Sequence, residues 1–190
     1  MEFPCRIYMG VIEETERKPN YYQDIETFGK FAEEDFINNY NNKKSNKKNL
    51  FDVRTIKMYQ HYDIDFIIDK EGGKTLPNYK KVLSDDRYQK IEVKYNSRAL
   101  DTGYLAYESI SHASLGWGET TKCDLMYMVF CDKNSFNIKK RAWVSMPKWK
   151  QYLADRTYTK KINYIKSEAI VDLLCDINDL EKQGVLTYIK

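Results

Sequence analysis

Histidine and cysteine are scarce in this chain and scattered. The two histidines, His61 and His112, stand far apart, and the four cysteines, Cys5, Cys123, Cys131 and Cys175, include no Cys-x-x-Cys pair. A zinc finger or knuckle needs close pairs of such ligands, so the spacing argues against that class. Scattered cysteines with no signal peptide ahead of them indicate free thiols in a reducing compartment. There is no apolar run long enough to cross a bilayer, and the opening Met1-Glu2-Phe3-Pro4 reads as the start of a cytoplasmic protein without a membrane partner. A strong charge of one sign is missing too. Lys and Arg number 31 against 28 Asp and Glu, a formal net charge of +3. Overall charge therefore makes no case for a nucleic-acid partner. No internal repeat and no domain linker is visible.

What is present is a globular composition. With 190 residues, 42% hydrophobic and 31% charged, the chain fits one domain, 1–190, with its core over roughly 20–175. Aromatic residues are abundant, and tyrosine leads them with 16 copies against 3 tryptophans. Tyrosines serve more often as half-buried strand residues than as platforms for stacked bases. The one concentrated basic run is 41–49, Asn-Asn-Lys-Lys-Ser-Asn-Lys-Lys-Asn.

Local patterns place the elements. Residues 5–12 read as extended. Asn20 is an N-cap with Gln23 as its capping-box partner, opening a helix to about Tyr40 with Ile25, Phe28, Ala32, Phe36 and Ile37 on its apolar face. A basic loop, 41–49, leads to strands over 51–58 and 64–69. The polar stretch 70–86 is a long hairpin connection into a strand at 88–95. Leu105 to Ile110 reads as extended, and the unbroken apolar run Leu125–Cys131 as a central strand. Arg141–Ser145 is a further strand, and Pro147 suits the first turn of a helix to about Asp155. A basic stretch, 156–166, precedes a strand at Ala169–Leu174, and Asp176 caps a last helix ending near Gly184. This order predicts an α/β (α+β) fold around a mixed sheet.

Two of these strands carry chemistry. Asp65 opens the apolar segment Asp65-Phe66-Ile67-Ile68, and the chain returns as Ile91-Glu92-Val93-Lys94. Strand side chains alternate between faces, so Glu92 and Lys94 share one face while Ile91 and Val93 take the other. If the strands pair, Asp65, Glu92 and Lys94 converge. Two carboxylates at a sheet end form a hard oxygen site suited to Mg²⁺ or Mn²⁺, and a neighbouring amine can hold or activate a water beside it. Asp63 is a rival to Asp65, and Glu34 to Glu33. The plain alternative is an amphipathic hairpin whose charges face solvent.

The order Asp, then Glu-x-Lys, resembles the PD-(D/E)xK nuclease superfamily, particularly its phage and bacterial members. Three further stretches are similar. Gly29-Lys30-Phe31-Ala32-Glu33 matches a Gly-x-x-x-Glu helix ahead of the strands. Asn96-Ser97-Arg98 and Thr102-Gly103-Tyr104-Leu105-Ala106-Tyr107-Glu108 follow the Glu-x-Lys strand, with Tyr104 where the pattern has Asn. Gly116-Trp117 then matches a Gly-Trp turn. The similarity spans roughly residues 25–145. It implies a restriction-endonuclease-like mixed central sheet flanked by helices, and a metal-dependent endonuclease or exonuclease acting on DNA, with RNA as a second substrate class. In that reading Asp65, Glu92 and the backbone carbonyl of Val93 hold Mg²⁺ or Mn²⁺, Lys94 handles the attacking water, and Glu33 reaches the metal directly or through water. Asp63 and Glu108 are outer-shell acids, and Arg98, Thr102, Lys122, Lys43 and Lys44 contact phosphates. Trp117 either stacks on a base or caps the core. The two isolated histidines argue against a histidine-based nuclease. The alternative is a catalytically inactive nucleic-acid-binding or regulatory protein on the same fold. Oligomeric state is open, a dimer included.

Overall fold

The computed structural model describes residues 21–42, 49–111, 114–132, 135–155, 159–165 and 168–189. In chain order these form α1 (Tyr21–Asn42), β1 (Asn49–Asp52), α2 (Lys57–Gln60), β2 (Phe66–Asp69), α3 (Tyr79–Ser84) and β3 (Tyr88–Asn96). There follow α4 (Ala99–Thr102), β4 (Tyr104–Ser111), β5 (Ser114–Leu115), α5 (Trp117–Thr120), β6 (Leu125–Cys131) and β7 (Ile138–Ser145). The chain ends with α6 (Met146–Asp155), β8 (Thr159–Ile165), β9 (Glu168–Asp176), α7 (Ile177–Lys182) and β10 (Leu186–Tyr188). The fold is mixed α+β. A six-stranded sheet has the order β1-β2-β3-β6-β7-β10, and a four-stranded sheet the order β5-β4-β9-β8. Within the larger sheet β3 and β6 run parallel and the other neighbours antiparallel.

Side-chain alternation divides the larger sheet into two cores. One face presents Phe66, Ile68, Ile91, Val93, Tyr127, Val129 and Cys131, and α1 covers it with Ala32 and Phe36. Of the expected apolar stripe of α1, Ala32, Phe36 and Ile37 dock there; the side chain of Ile25 lies outside the described residues. Asp35 fixes the docking: its carboxylate accepts bonds from Arg141 Nε at 2.8 Å, Arg141 Nη2 at 2.7 Å and the Tyr127 hydroxyl at 2.8 Å. The opposite face presents Ile67, Met126, Met128, Ala142 and Val144. It packs against Trp149 and Tyr152 of α6 and against Leu105, Tyr107, Leu173 and Cys175 of the smaller sheet. β6 is apolar throughout because it is paired on both sides and covered on both faces.

Several boundaries differ from the sequence pattern. The strand expected over 51–58 stops at Asp52, and Lys57–Gln60 is a helical turn instead. The connection 70–86 contains α3, capped by Asn78, whose side chain accepts from the Lys81 N–H. The stretch 156–166 holds β8. α6 and α7 lie where Pro147 and Asp176 place them; Asp176 accepts from the N–H groups of Asn178 and Asp179. The segment 5–12, Asn20, His112 and the lysines of 43–48 lie outside the described residues. No helix among the described residues is long and apolar enough to cross a membrane.

Candidate active site

β2 and β3 pair antiparallel, Phe66 opposite Ile91 and Asp69 opposite Tyr88. Asp65 lies just before β2 and extends the contact in an unusual way. Its backbone N–H donates to the Ile91 carbonyl at 2.8 Å, and its side-chain Oδ2 accepts the Val93 N–H at 2.8 Å. The carboxylate thus stands where the next strand residue would sit, at the open end of the β2–β3 ladder. Ile91 and Val93 turn their backbone groups toward β2. A strand residue's N–H and C=O point to the same side, so the Val93 carbonyl faces Asp65 and not β6.

Glu92 and Lys94 share the face turned away from α1. Lys94 Nζ forms an ion pair with Glu92 Oε1, whose side chain is only 7% exposed against 35% for Lys94. A charge buried to that degree requires a partner, and Lys94 is it. Lys90, next in the same row and also buried, is neutralised by Asp124 at 3.1 Å. The inward face of β3 therefore carries three charges in succession, each compensated.

The electrostatics show that the acids crowd one another. Burial first, and the negative charge of Glu92 second, push the Asp65 carboxyl up to about 8, against the pull of the Val93 N–H and Lys94. Asp63 rises to about 6, again through burial and then Glu92, with Glu108 adding to it and Lys94 opposing. For Lys94 burial works against the charge, but Glu92, Asp63 and Asp65 outweigh it and hold the amine above its ordinary value. A surplus of carboxylate surrounds one ammonium.

The remaining candidates divide. Glu33 is partly buried where Glu34 is exposed. It sits on the α1 side of the sheet, and its Oε2 is 2.5 Å from Arg54 Nη1. Its charge still reaches Asp65, though weakly. Asp63 is not a strand residue. It occupies the turn before β2 with φ 51°, a left-handed conformation that Asp tolerates better than most residues. Glu108 on β4 accepts the Trp117 N–H at 3.3 Å, a local support for the Gly116-Trp117 turn. Thr102 caps its own turn through the Arg98 carbonyl at 3.0 Å, and Asn96 accepts from the N–H groups of Arg98 and Ala99. Arg98, Thr102 and Lys122 are exposed. Lys43 and Lys44 lie outside the described residues. Gly29 has open space where a Cβ would stand, so no steric demand explains it.

Sequence reasoning missed Arg54. Its guanidinium bridges Glu33 and Asp52, at 2.5 Å to each, and lies 5.0 Å above the Phe66 ring. The only local signal was the Asp52-x-Arg54 spacing just beyond a strand. Cys123, Cys131 and Cys175 are buried free thiols, as the cysteine spacing implied.

Among the described residues no three His, Cys, Asp or Glu side chains stand close enough together to hold a metal between them. The donor set at the β2–β3 end is a different one, two carboxylates and a carbonyl. Its all-oxygen chemistry suits Mg²⁺ or Mn²⁺, and its crowded negative charge is what a divalent cation offsets. Compared with protein-family models, curated proteins and solved structures, the chain matches none.

Proposed function

We propose that this chain is a divalent-metal-dependent nuclease hydrolysing phosphodiester bonds in DNA, built on a restriction-endonuclease-like sheet. One observation carries the reading: β2–β3 pairing sets the Asp65 carboxylate against Val93 and within the field of Glu92, with Lys94 bonded to Glu92. A solvent-facing hairpin of charges would not bury Glu92 to this extent or drive Asp65 to hold a proton near neutrality.

In this reading Asp65, Glu92 and the Val93 carbonyl would hold Mg²⁺ or Mn²⁺. When bound, such an ion supplies Lewis-acid polarisation of the phosphate and a more acidic water. The Val93 N–H holds Asp65 Oδ2, so Oδ1 would be the oxygen offered to the ion. Lys94, whose amine Glu92, Asp63 and Asp65 hold above its ordinary value, would orient or activate the attacking water. It donates hydrogen bonds to the attacking water and to phosphate oxygens as their negative charge grows. The water oxygen bonds to phosphorus and loses its proton to solvent, the bond to the 3′ oxygen breaks, and that oxygen takes up a proton from solvent. The resemblance to the PD-(D/E)xK superfamily implies products carrying a 5′-phosphate and a 3′-hydroxyl.

The test is incubation of the purified chain with plasmid, linear duplex, single-stranded DNA and RNA. Cleavage should require Mg²⁺ or Mn²⁺ and stop with chelator. One observation favours the inactive binding or regulatory alternative: Arg54 holds Glu33 in an ion pair on the α1 side of the sheet. Nucleic-acid binding with no cleavage under any metal would support that alternative.

A further inference from the structure

The Gly116-Trp117 turn contributes no ligand to the site, yet its indole lies beside Lys94. The geometry points to Trp117 as a positioning residue for Lys94, its indole face holding the ammonium beside Glu92; this rests on the nuclease reading. Lys94 Nζ lies 5.6 Å from the centroid of the Trp117 ring, inside the roughly 6 Å reach of a cation–π contact. Lysine is a point charge on a flexible four-carbon stem. Its ion pair with a single Glu92 oxygen does not by itself hold the stem. Beside the carboxylates that attract the ammonium, the indole is a rigid, uncharged neighbour that limits where the stem can swing.

Trp117 can serve this way because it is itself held. Its ring is 5.8 Å from Tyr107 and 6.2 Å from Trp149, both fully buried in the core between the two sheets. The backbone is pressed against β4 at two glycines. A Cβ on Gly116 would stand 2.5 Å from the Glu108 carbonyl oxygen, and one on Gly118 would stand 2.6 Å from the Tyr107 ring. Hydrogen bonds close the contact: the Tyr107 hydroxyl donates to the Gly118 carbonyl at 2.5 Å, and the Trp117 N–H donates to Glu108 Oε1 at 3.3 Å. The rigid core around Trp149 thus extends through Tyr107 and Trp117 to Lys94 and Glu92. Glu108 supports this turn through the Trp117 N–H, besides the effect of its charge on Asp63.

A tryptophan that only fills the core would be indifferent to the Lys94 amine, and the test exploits that difference. The full chain is compared with W117F, which keeps an aromatic face, and W117L, which does not; W117M replaces W117L if the latter fails to fold. Three quantities are read: the NMR position of the Lys94 Cε methylene, kcat and KM for DNA cleavage, and the thermal shift on adding MnCl₂. The expected wild-type methylene is displaced upfield by the indole ring current, retained in part in W117F and lost in W117L. The expected W117L enzyme loses about ten- to a hundredfold in kcat, as a misplaced catalytic group does, with KM and the Mn²⁺ shift nearly unchanged, and W117F keeps most of the rate. An undisplaced Lys94 methylene in wild type overturns the proposal. So does a W117L kcat equal to wild type, or a W117F as slow as W117L. If wild type cleaves nothing, the nuclease reading falls. The methylene displacement then decides alone whether Trp117 positions Lys94, its loss in W117L upholding the contact and its absence in wild type overturning it.

Discussion

Replacing Asp65 by asparagine should stabilise the metal-free protein at alkaline pH while abolishing its response to metal. The folded carboxyl is pushed from its ordinary 3.8 up to about 8 by burial and by Glu92. The folded state therefore binds more protons than the unfolded chain throughout that interval, so stability falls as pH rises from about 4 to about 8. At about 1.4 kcal/mol per pH unit the interval corresponds to at most about 6 kcal/mol. The Asp65 side chain keeps some contact with water, which screens the larger part and leaves on the order of 2 kcal/mol. D65N keeps an oxygen to accept the Val93 N–H and removes the ionisation. Its melting temperature should exceed wild type by about 5 °C at pH 8, since about 1 kcal/mol moves a domain of this size by 2–4 °C, and the difference should vanish near pH 4. Mn²⁺ should raise the melting temperature of wild type by mass action and leave D65N unmoved. The assay is a set of thermal melts at pH 4, 6 and 8, with chelator or Mn²⁺. A D65N protein less stable than wild type at pH 8, or a difference that does not change with pH, would refute the electrostatic reasoning. A Mn²⁺ response equal in both proteins would remove Asp65 from the metal site.

Other perturbations give distinct outcomes. Mn²⁺ affinity, measured by calorimetry, should strengthen from pH 6 to pH 8 by up to about tenfold per unit, because Asp65 sheds its proton on binding; a flat profile counts against it as a ligand. Lys94→Ala should eliminate cleavage and also cost about 1–3 kcal/mol in urea unfolding, since it strands the buried Glu92 carboxylate; normal cleavage would remove Lys94 from the mechanism. Asp35→Asn breaks the charge pairing with Arg141 that docks α1; it should lower the melting temperature by about 5–10 °C and leave the wild-type Mn²⁺ shift intact. Gly116→Ala forces a methyl against the Glu108 carbonyl and should destabilise by about 1–3 kcal/mol; an unchanged urea midpoint would show that the turn yields freely.

Much of the frame was legible because local chemistry specifies it. The α1 stripe, the all-apolar β6, the Pro147 start of α6 and the Asp176 cap of α7 depend on periodicity or on caps that span a few residues. The 51–58 expectation failed at Asp52 because a short apolar alternation does not distinguish a strand from a strand end followed by a helical turn. Alternation along β3 already put Glu92 and Lys94 on one face, and the apolar Phe66-Ile67-Ile68 already singled out Asp65 as the acid before it, which the structure places just ahead of β2.

Distance in sequence hid the rest. The reading of 70–86 as a hairpin connection anticipated the antiparallel β2–β3 pairing, but not that α3 lies within that connection. Arg54 holding Glu33 and Asp35 holding Arg141 join residues that only the packing of α1 on the sheet brings together. The chain by itself determined which segments are strands and helices and which face of β3 is charged, because period and capping act within a few residues. Only the tertiary structure decided that the charged face is covered, since burial is a property of what packs against a strand. That cover turns Glu92 and Lys94 from surface charges into a paired, desolvated group and drives Asp65 to hold its proton.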